Sequence, residues 1–203
     1  QTFPKISNSN KHHIIENIRS FIINSNDSVF AKNIEKVFNL NNIIDWHLLL
    51  LITNNSDGIL KNFYLYKISQ NDPVRIAPWD YDHSFGRDGD NELNLNTRKV
   101  DLNRSILFKR LLEYDWYKSK LKNRWIYLNN KNILSATGIK NRISKKNKEL
   151  QDAIIKNQSK WPINHPVYYD NNNSHDEIKI MYDFIEKKHS ELDDYFKNIK
   201  KSK

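Results

Sequence analysis

"NFYLYKISQNDPVRIAPWDYDHSFG", residues 62–86, carries two short aromatic and β-branched runs on either side of "QNDP". Two aspartates, a histidine and a glycine then fall between positions 80 and 86. Runs of this kind around a turn-forming tetrapeptide read as a β-hairpin. If residues 69–73 form its loop, Ile68 pairs with Val74 and opposed positions sum to 142. That register sets Phe63 against Trp79, Leu65 against Ala77 and Tyr66 against Ile76. It also sets Asn62 against Asp80 at the open end, where an amide oxygen and a carboxylate could share one divalent cation. It does so at the expense of a like-charge pair, Lys67 opposite Arg75, and a slip of one residue would undo it.

Outside the hairpin, apolar residues recur at helical spacing and glycine is scarce, at four residues. Segments 12–23 and 27–38 read as amphipathic helices, the second capped by Asp27 or Ser28. Segment 41–53, "NNIIDWHLLLLIT", is apolar on most sides and is expected at the centre of the core. Further helices are expected over 103–112, 114–129, 136–157 and 175–198. A polar loop, 86–101, follows the aspartates, and an irregular segment, 158–174, contains Pro162 and Pro166. The fold class is thus α+β, mainly helical with one hairpin, and residues 1–203 are read as a single domain.

Composition narrows the function. With no cysteine there are no disulfides, zinc–thiolate sites or cysteine nucleophiles. No apolar run reaches the length of a membrane span, and the polar start "QTFPKISNSN" is no signal peptide. A net charge of +9 favours anionic ligands, phosphates included, but it is spread along helices and gathered in the tail "KNIKKSK". No nucleic-acid-binding motif accompanies it, so no nucleic-acid partner is expected. Trp46, Trp79, Trp116, Trp125 and Trp161 are expected to pack the core, and His12 and His13 to lie on the surface. "DGDNE", 88–92, reads as a solvated loop rather than a calcium site, because its glycine is misplaced for an EF-hand.

Asp57 precedes Asn62 by five residues, in "DGILKN". Protein kinases carry a catalytic Asp and a magnesium-holding Asn at this D-x-x-x-x-N spacing, with a second metal-holding Asp after a short strand pair. The pattern alone says little in a chain rich in Asn, and "DYD" alone would also suit a metal-dependent D-x-D glycosyltransferase. Together, "NNIIDWHLLLLITNNSDGILKNFYLYK" and "VRIAPWDYDHSFG" resemble the CotH (spore-coat protein H) kinase family. "LFKRLLEYDWYKSKLKNRW" and "EIKIMYDFIEKKHSELDDYF" resemble its later helices, so the resemblance covers roughly 40–197 and is strongest over 54–86.

The resemblance implies an atypical protein-kinase-like large lobe that phosphorylates protein Ser or Thr, with ATP as substrate and Mg²⁺ or Mn²⁺ as metal. It implies Asp57 as the catalytic aspartate, Asn62 and Asp80 as the residues that bind the metal and nucleotide, and Asp82 as a further metal acid. His83 beside them is expected to be a hydrogen-bonded structural histidine. The expected partners are a nucleotide and a protein substrate. The expected location is extracytoplasmic, at the cell surface or in a spore coat. Glycines 58, 86, 89 and 138 make no nucleotide-covering loop, and the start reads as helical without Met. The small lobe is therefore expected to be missing from this stretch, which reads as a piece of something longer. The alternative is a non-catalytic interaction module that retains the fold.

Overall fold

The computed structural model describes residues 13–86, 99–162 and 173–199. Its elements run α1 (His13–Asn24), α2 (Asp27–Val37), α3 (Leu40–Thr53), β1 (Phe63–Tyr66), β2 (Arg75–Pro78), α4 (Ile106–Leu111), α5 (Asp115–Asn130), α6 (Ala136–Lys160) and α7 (Ser174–Asn198). Single 3-10 turns at Asp57–Ile59 and Leu102–Arg104 complete them. The described residues are mainly helical with one antiparallel two-stranded sheet, as the apolar spacing implies. Most of polar loop 86–101, with "DGDNE", lies outside the described residues, as do His12, the His13 side chain and most of segment 158–174. Among the described residues no helix is long and apolar enough to cross a membrane.

The third helix is central because it is apolar nearly all round. Ile43, Ile44, Trp46, Leu48, Leu50 and Ile52 are all buried, and α3 touches β2, α5 and α7. Polar bonds fix the angles between these layers. Arg124 of α5 grips Asp45 of α3 with two bonds, at 2.7 and 2.9 Å, in the fork geometry that suits guanidinium to carboxylate. Trp125 donates to Asp193 of α7 at 2.8 Å while its ring stacks on Phe196. Arg110 of α4 lies over the Phe30 ring and donates to the carbonyls of Ile22 and Ser25, fastening α1 and α2.

Several element ends differ from the sequence reading. Asn26, not Asp27 or Ser28, caps α2, because it holds the extended backbone a cap needs and accepts from the Val29 N–H. Asp27, one residue inside, instead accepts from the Tyr114 hydroxyl at 2.8 Å. The expected helix 103–112 is a 3-10 turn followed by α4, since extended Ser105 interrupts it and caps the second part. The sixth helix continues to Lys160, and α7 begins at Ser174 under an Asn173 cap, so segment 158–174 is shorter at both ends than expected. Trp46 and Trp125 are buried and Trp116 partly so, but Trp79 and Trp161 are largely exposed, contrary to expectation.

The hairpin register is the correction that matters most. Phe63 faces Pro78, Tyr64 faces Ala77, Leu65 faces Ile76 and Tyr66 faces Arg75, so the strands are one residue out from the expected pairing. Asn62 therefore stands opposite Trp79, whose N–H donates to the Asn62 carbonyl at 3.0 Å. The slip removes the Lys67–Arg75 opposition. On its other side β2 has partners of its own. The Val74 N–H donates to the Val37 carbonyl and its own carbonyl accepts from Asn39, both at 2.8 Å. Two residues on, Asn42 plays the part of a neighbouring strand. Its oxygen takes the Ile76 N–H at 2.6 Å and its amide reaches the Ile76 carbonyl at 3.1 Å.

Replacing Asn42 by Ala is accordingly expected to cost about 1–3 kcal/mol, because two strand groups lose their partners in a half-buried place. Urea unfolding measures it. A cost below about 0.5 kcal/mol would mean that Val74 alone anchors β2.

Candidate functional site

The third helix ends at Thr53, and Asn54 takes the left-handed backbone (φ 54°) that stops it. Beyond it, fully buried Asn55 ties two loops together. Its oxygen accepts from the Gly58 N–H at 2.6 Å and its amide donates to the Ser84 hydroxyl at 3.2 Å. The Phe85 N–H reaches back to the Thr53 carbonyl at 2.9 Å. The Asp57 turn and the Asp80–Ser84 stretch are thereby laced side by side against the end of α3. Gly58 is needed for that closeness, since a Cβ there would lie 2.9 Å from both Leu50 Cδ2 and the Tyr81 hydroxyl. Burial pushes the Tyr81 hydroxyl up to about 12, so it stays a neutral packing group.

The Asp57 carbonyl accepts from the N–H groups of Leu60, Lys61 and Asn62, which curls the chain back on itself. Lys61 Nζ then meets Asp57 Oδ2 at 2.9 Å. The Lys61 ammonium is raised above its ordinary range, first by the bond to Asp57 and its charge, then by Asp80 and Asp82. His83 lies between two of the acids, Nδ1 at 3.9 Å from Asp57 Oδ2 and Nε2 at 3.3 Å from Asp82 Oδ2. Its main-chain N–H also donates to Asp82 Oδ1 at 3.0 Å, so His83 is bonded into the loop.

Asn62 and Asp80 meet, but not as opposed strand partners. Asn62 Nδ2 donates to the main-chain carbonyl of Asp80 at 3.1 Å. Asp80 itself is left-handed (φ 55°), one residue beyond the Asn62–Trp79 pair. Phe85 and Gly86 share positive φ, at 53° and 99°. A left-handed Phe is an uncommon conformation that the lacing to Thr53 holds in place.

The structure thus gathers two groupings: Asp57 with Lys61, His83 and Asp82, and Asn62 with Asp80. Lys61 was not singled out by the sequence reading, although its place four residues after Asp57 is the spacing of a helical ion pair.

The donors suit a hard cation. Asp80 carries no hydrogen bond or ion pair on its carboxylate among the described residues, and the Asn62 amide bond leaves its oxygen open. Both are oxygen ligands, the kind Mg²⁺ prefers. Among the described residues no three or more His, Cys, Asp or Glu are grouped to hold an ion.

A mainly helical α+β domain, with acids laced together from a helix end and a hairpin end, defines the class. The family model described as "CotH kinase protein" matches residues 2–192, and the chain belongs to that family. It is 30% identical over 59 residues to the inner spore coat protein H of Bacillus subtilis (strain 168). That stretch is 29% of this chain and only 16% of the relative.

Proposed function

We propose that this chain forms the metal- and phosphate-handling part of a protein kinase that moves the γ-phosphoryl group of ATP to protein Ser or Thr. The observation that carries the reading is the lacing of the Asp57 turn to the Asp80–Ser84 loop through Asn55, which sets two acidic groupings side by side. In such an enzyme Asp57 accepts the hydroxyl proton of the protein substrate and orients its oxygen. Asn62 and Asp80 hold Mg²⁺ (or Mn²⁺), and Asp82 is a further acid within reach of the same loop. The metal, when bound, neutralises charge on the phosphate oxygens. Lys61, with an exposed stem, is free to leave Asp57 for a phosphate oxygen, which would release the carboxylate for the hydroxyl.

One observation favours a second reading. In this structure the Asp57 carboxylate is taken up by Lys61, as it would be in a non-catalytic module that keeps the fold. By analogy with the coat protein it resembles, either form would work in a spore coat.

The deciding experiment uses the full-length natural protein. Labelled γ-phosphate should pass from Mg·ATP to a Ser- or Thr-containing protein acceptor, and stop on chelation of the metal. No transfer at saturating Mg·ATP or Mn·ATP, over a broad set of acceptors, would leave the interaction module as the reading.

A further inference from the structure

Antiparallel pairing alternates, so the bonded pairs of this hairpin can be counted outward from one known bond. The Trp79 N–H donates to Asn62, which makes Tyr64–Ala77 and Tyr66–Arg75 the other bonded pairs. The main-chain groups of Val74 and Ile76 must then point away from β1. Both do, and both are occupied by Val37, Asn39 and Asn42. By the same count the N–H and C=O of Phe63, Leu65 and Lys67 point away from β2. Among the described residues nothing bonds to them.

This open edge is exposed: Tyr64, Leu65 and Tyr66 are 44, 41 and 42% accessible and Ile68 is 70%. It is also basic at its Lys67 end. From Leu60 to Asn71 the chain carries Lys61 and Lys67 and no acid; Asp57 takes up Lys61, and Lys67 keeps its charge without an acid partner among the described residues. A second copy is a poor occupant, since each chain has a net charge of +9. With Tyr64 on the two-fold axis of such a pair, Lys61 would face Lys67 twice, and like charges directly opposed repel. Lysines on an edge strand discourage just this self-pairing.

We propose that the free edge of β1 is the docking strand for the protein substrate, which adds to it as an extended segment with an acidic residue beside Lys67. The proposal rests on the kinase reading for its purpose but not for its geometry. Main-chain bonds to Phe63 and Leu65 supply the attachment, and Lys67, which no acid pairs among the described residues, selects the acidic flank. The edge leads directly into Lys61 and Asn62, so a docked segment continues toward Asp57.

The probe is a synthetic peptide alternating Thr and Val about one Ser, with Glu at both ends, set against a counterpart ending in Lys. Full-length protein is used without nucleotide or metal, and amide exchange is read residue by residue. The Phe63 and Leu65 amides should gain protection on adding the Glu-ended peptide, while those of Tyr64 and Tyr66, already paired, should not change.

Leu65→Pro removes an outward N–H and no hairpin bond, a change edge strands accept, and it should weaken binding about tenfold or more. Lys67→Glu, which leaves the backbone alone, should reverse the preference between the two peptides. Protection elsewhere, equal binding of both peptides, or dimerisation through this edge would overturn the proposal. If the peptide protects Phe63 and Leu65 yet is never phosphorylated, the docking strand stands and the kinase reading falls. Phosphorylation without protection of these amides gives the reverse.

Discussion

An Asp80→Asn protein is expected to unfold at the wild-type temperature and to transfer phosphate at least about a hundredfold more slowly, the scale on which removing one preorganised electrostatic group acts. Folding should survive for two reasons. The side chains are nearly the same size, and Asn is as much at ease as Asp in the left-handed backbone that position 80 adopts (φ 55°). The Asp80 carbonyl, which receives the Asn62 amide, is main chain and is untouched. What goes is a negative charge that no described residue neutralises by a direct bond. Rates at saturating Mg·ATP, beside thermal unfolding of the same samples, read the two effects separately. A rate within tenfold of wild type would remove Asp80 from the site.

The second large effect is acid sensitivity centred on His47. This ring is completely buried in α3, Nδ1 2.9 Å from the Tyr117 hydroxyl and the imidazole against Phe108, while Nε2 has no partner. Burial lowers its pKa from 6.5 to about 3, because it takes the charged imidazolium out of solvent. The unfolded chain therefore binds a proton between pH 6.5 and 3 that the folded chain refuses. Stability is complete above pH 6.5 and falls as pH drops through that window. At 1.36 kcal/mol per pH unit, the loss reaches about 5 kcal/mol at its lower end, and about 3 kcal/mol by pH 4.

Carboxylates add losses in the same direction, so the measurement is a difference. His47→Asn, whose amide can still bond Tyr117, should be less stable than wild type at pH 7. That deficit should shrink by about 3 kcal/mol at pH 4 in urea unfolding. Parallel curves would mean that His47 takes up its proton without unfolding.

The contrast between these two residues shows what a sequence discloses. The helices were legible because each buries one face, and α3 because it buries nearly every face. Asp57, Asn62 and Asp80 stand out through spacing and resemblance. What could not be read was any feature decided by residues distant in the chain. Loop length alone points to the wrong hairpin register, and the partners that fix β2 on its other side, Val37, Asn39 and Asn42, lie some 35 positions earlier in the chain. The pairing of Asn62 with Asp80 was expected across the strands; it occurs through a main-chain carbonyl because the slip and the left-handed turn together displace Asp80. Asn55, which joins the two acidic loops, looked like one more asparagine in a chain full of them. Trp79 and Trp161 read as core by residue type alone, and only the packing shows them exposed.

Because β2 is anchored from the α3 side, the chain between Tyr66 and Val74 does not set where Asp80 stands. That tip is held by only two described contacts of its own, Asp72 N–H to the Ser69 carbonyl and Lys67 to the Gln70 carbonyl. A Gly-Ser pair inserted after Asn71 should therefore leave stability within about 0.6 kcal/mol, the entropy of a modestly longer loop, and leave phosphoryl transfer unchanged. The domain has a place where length can be added or lost generation by generation while its acids stay in position, and new recognition could be grafted there without the chemistry being rebuilt.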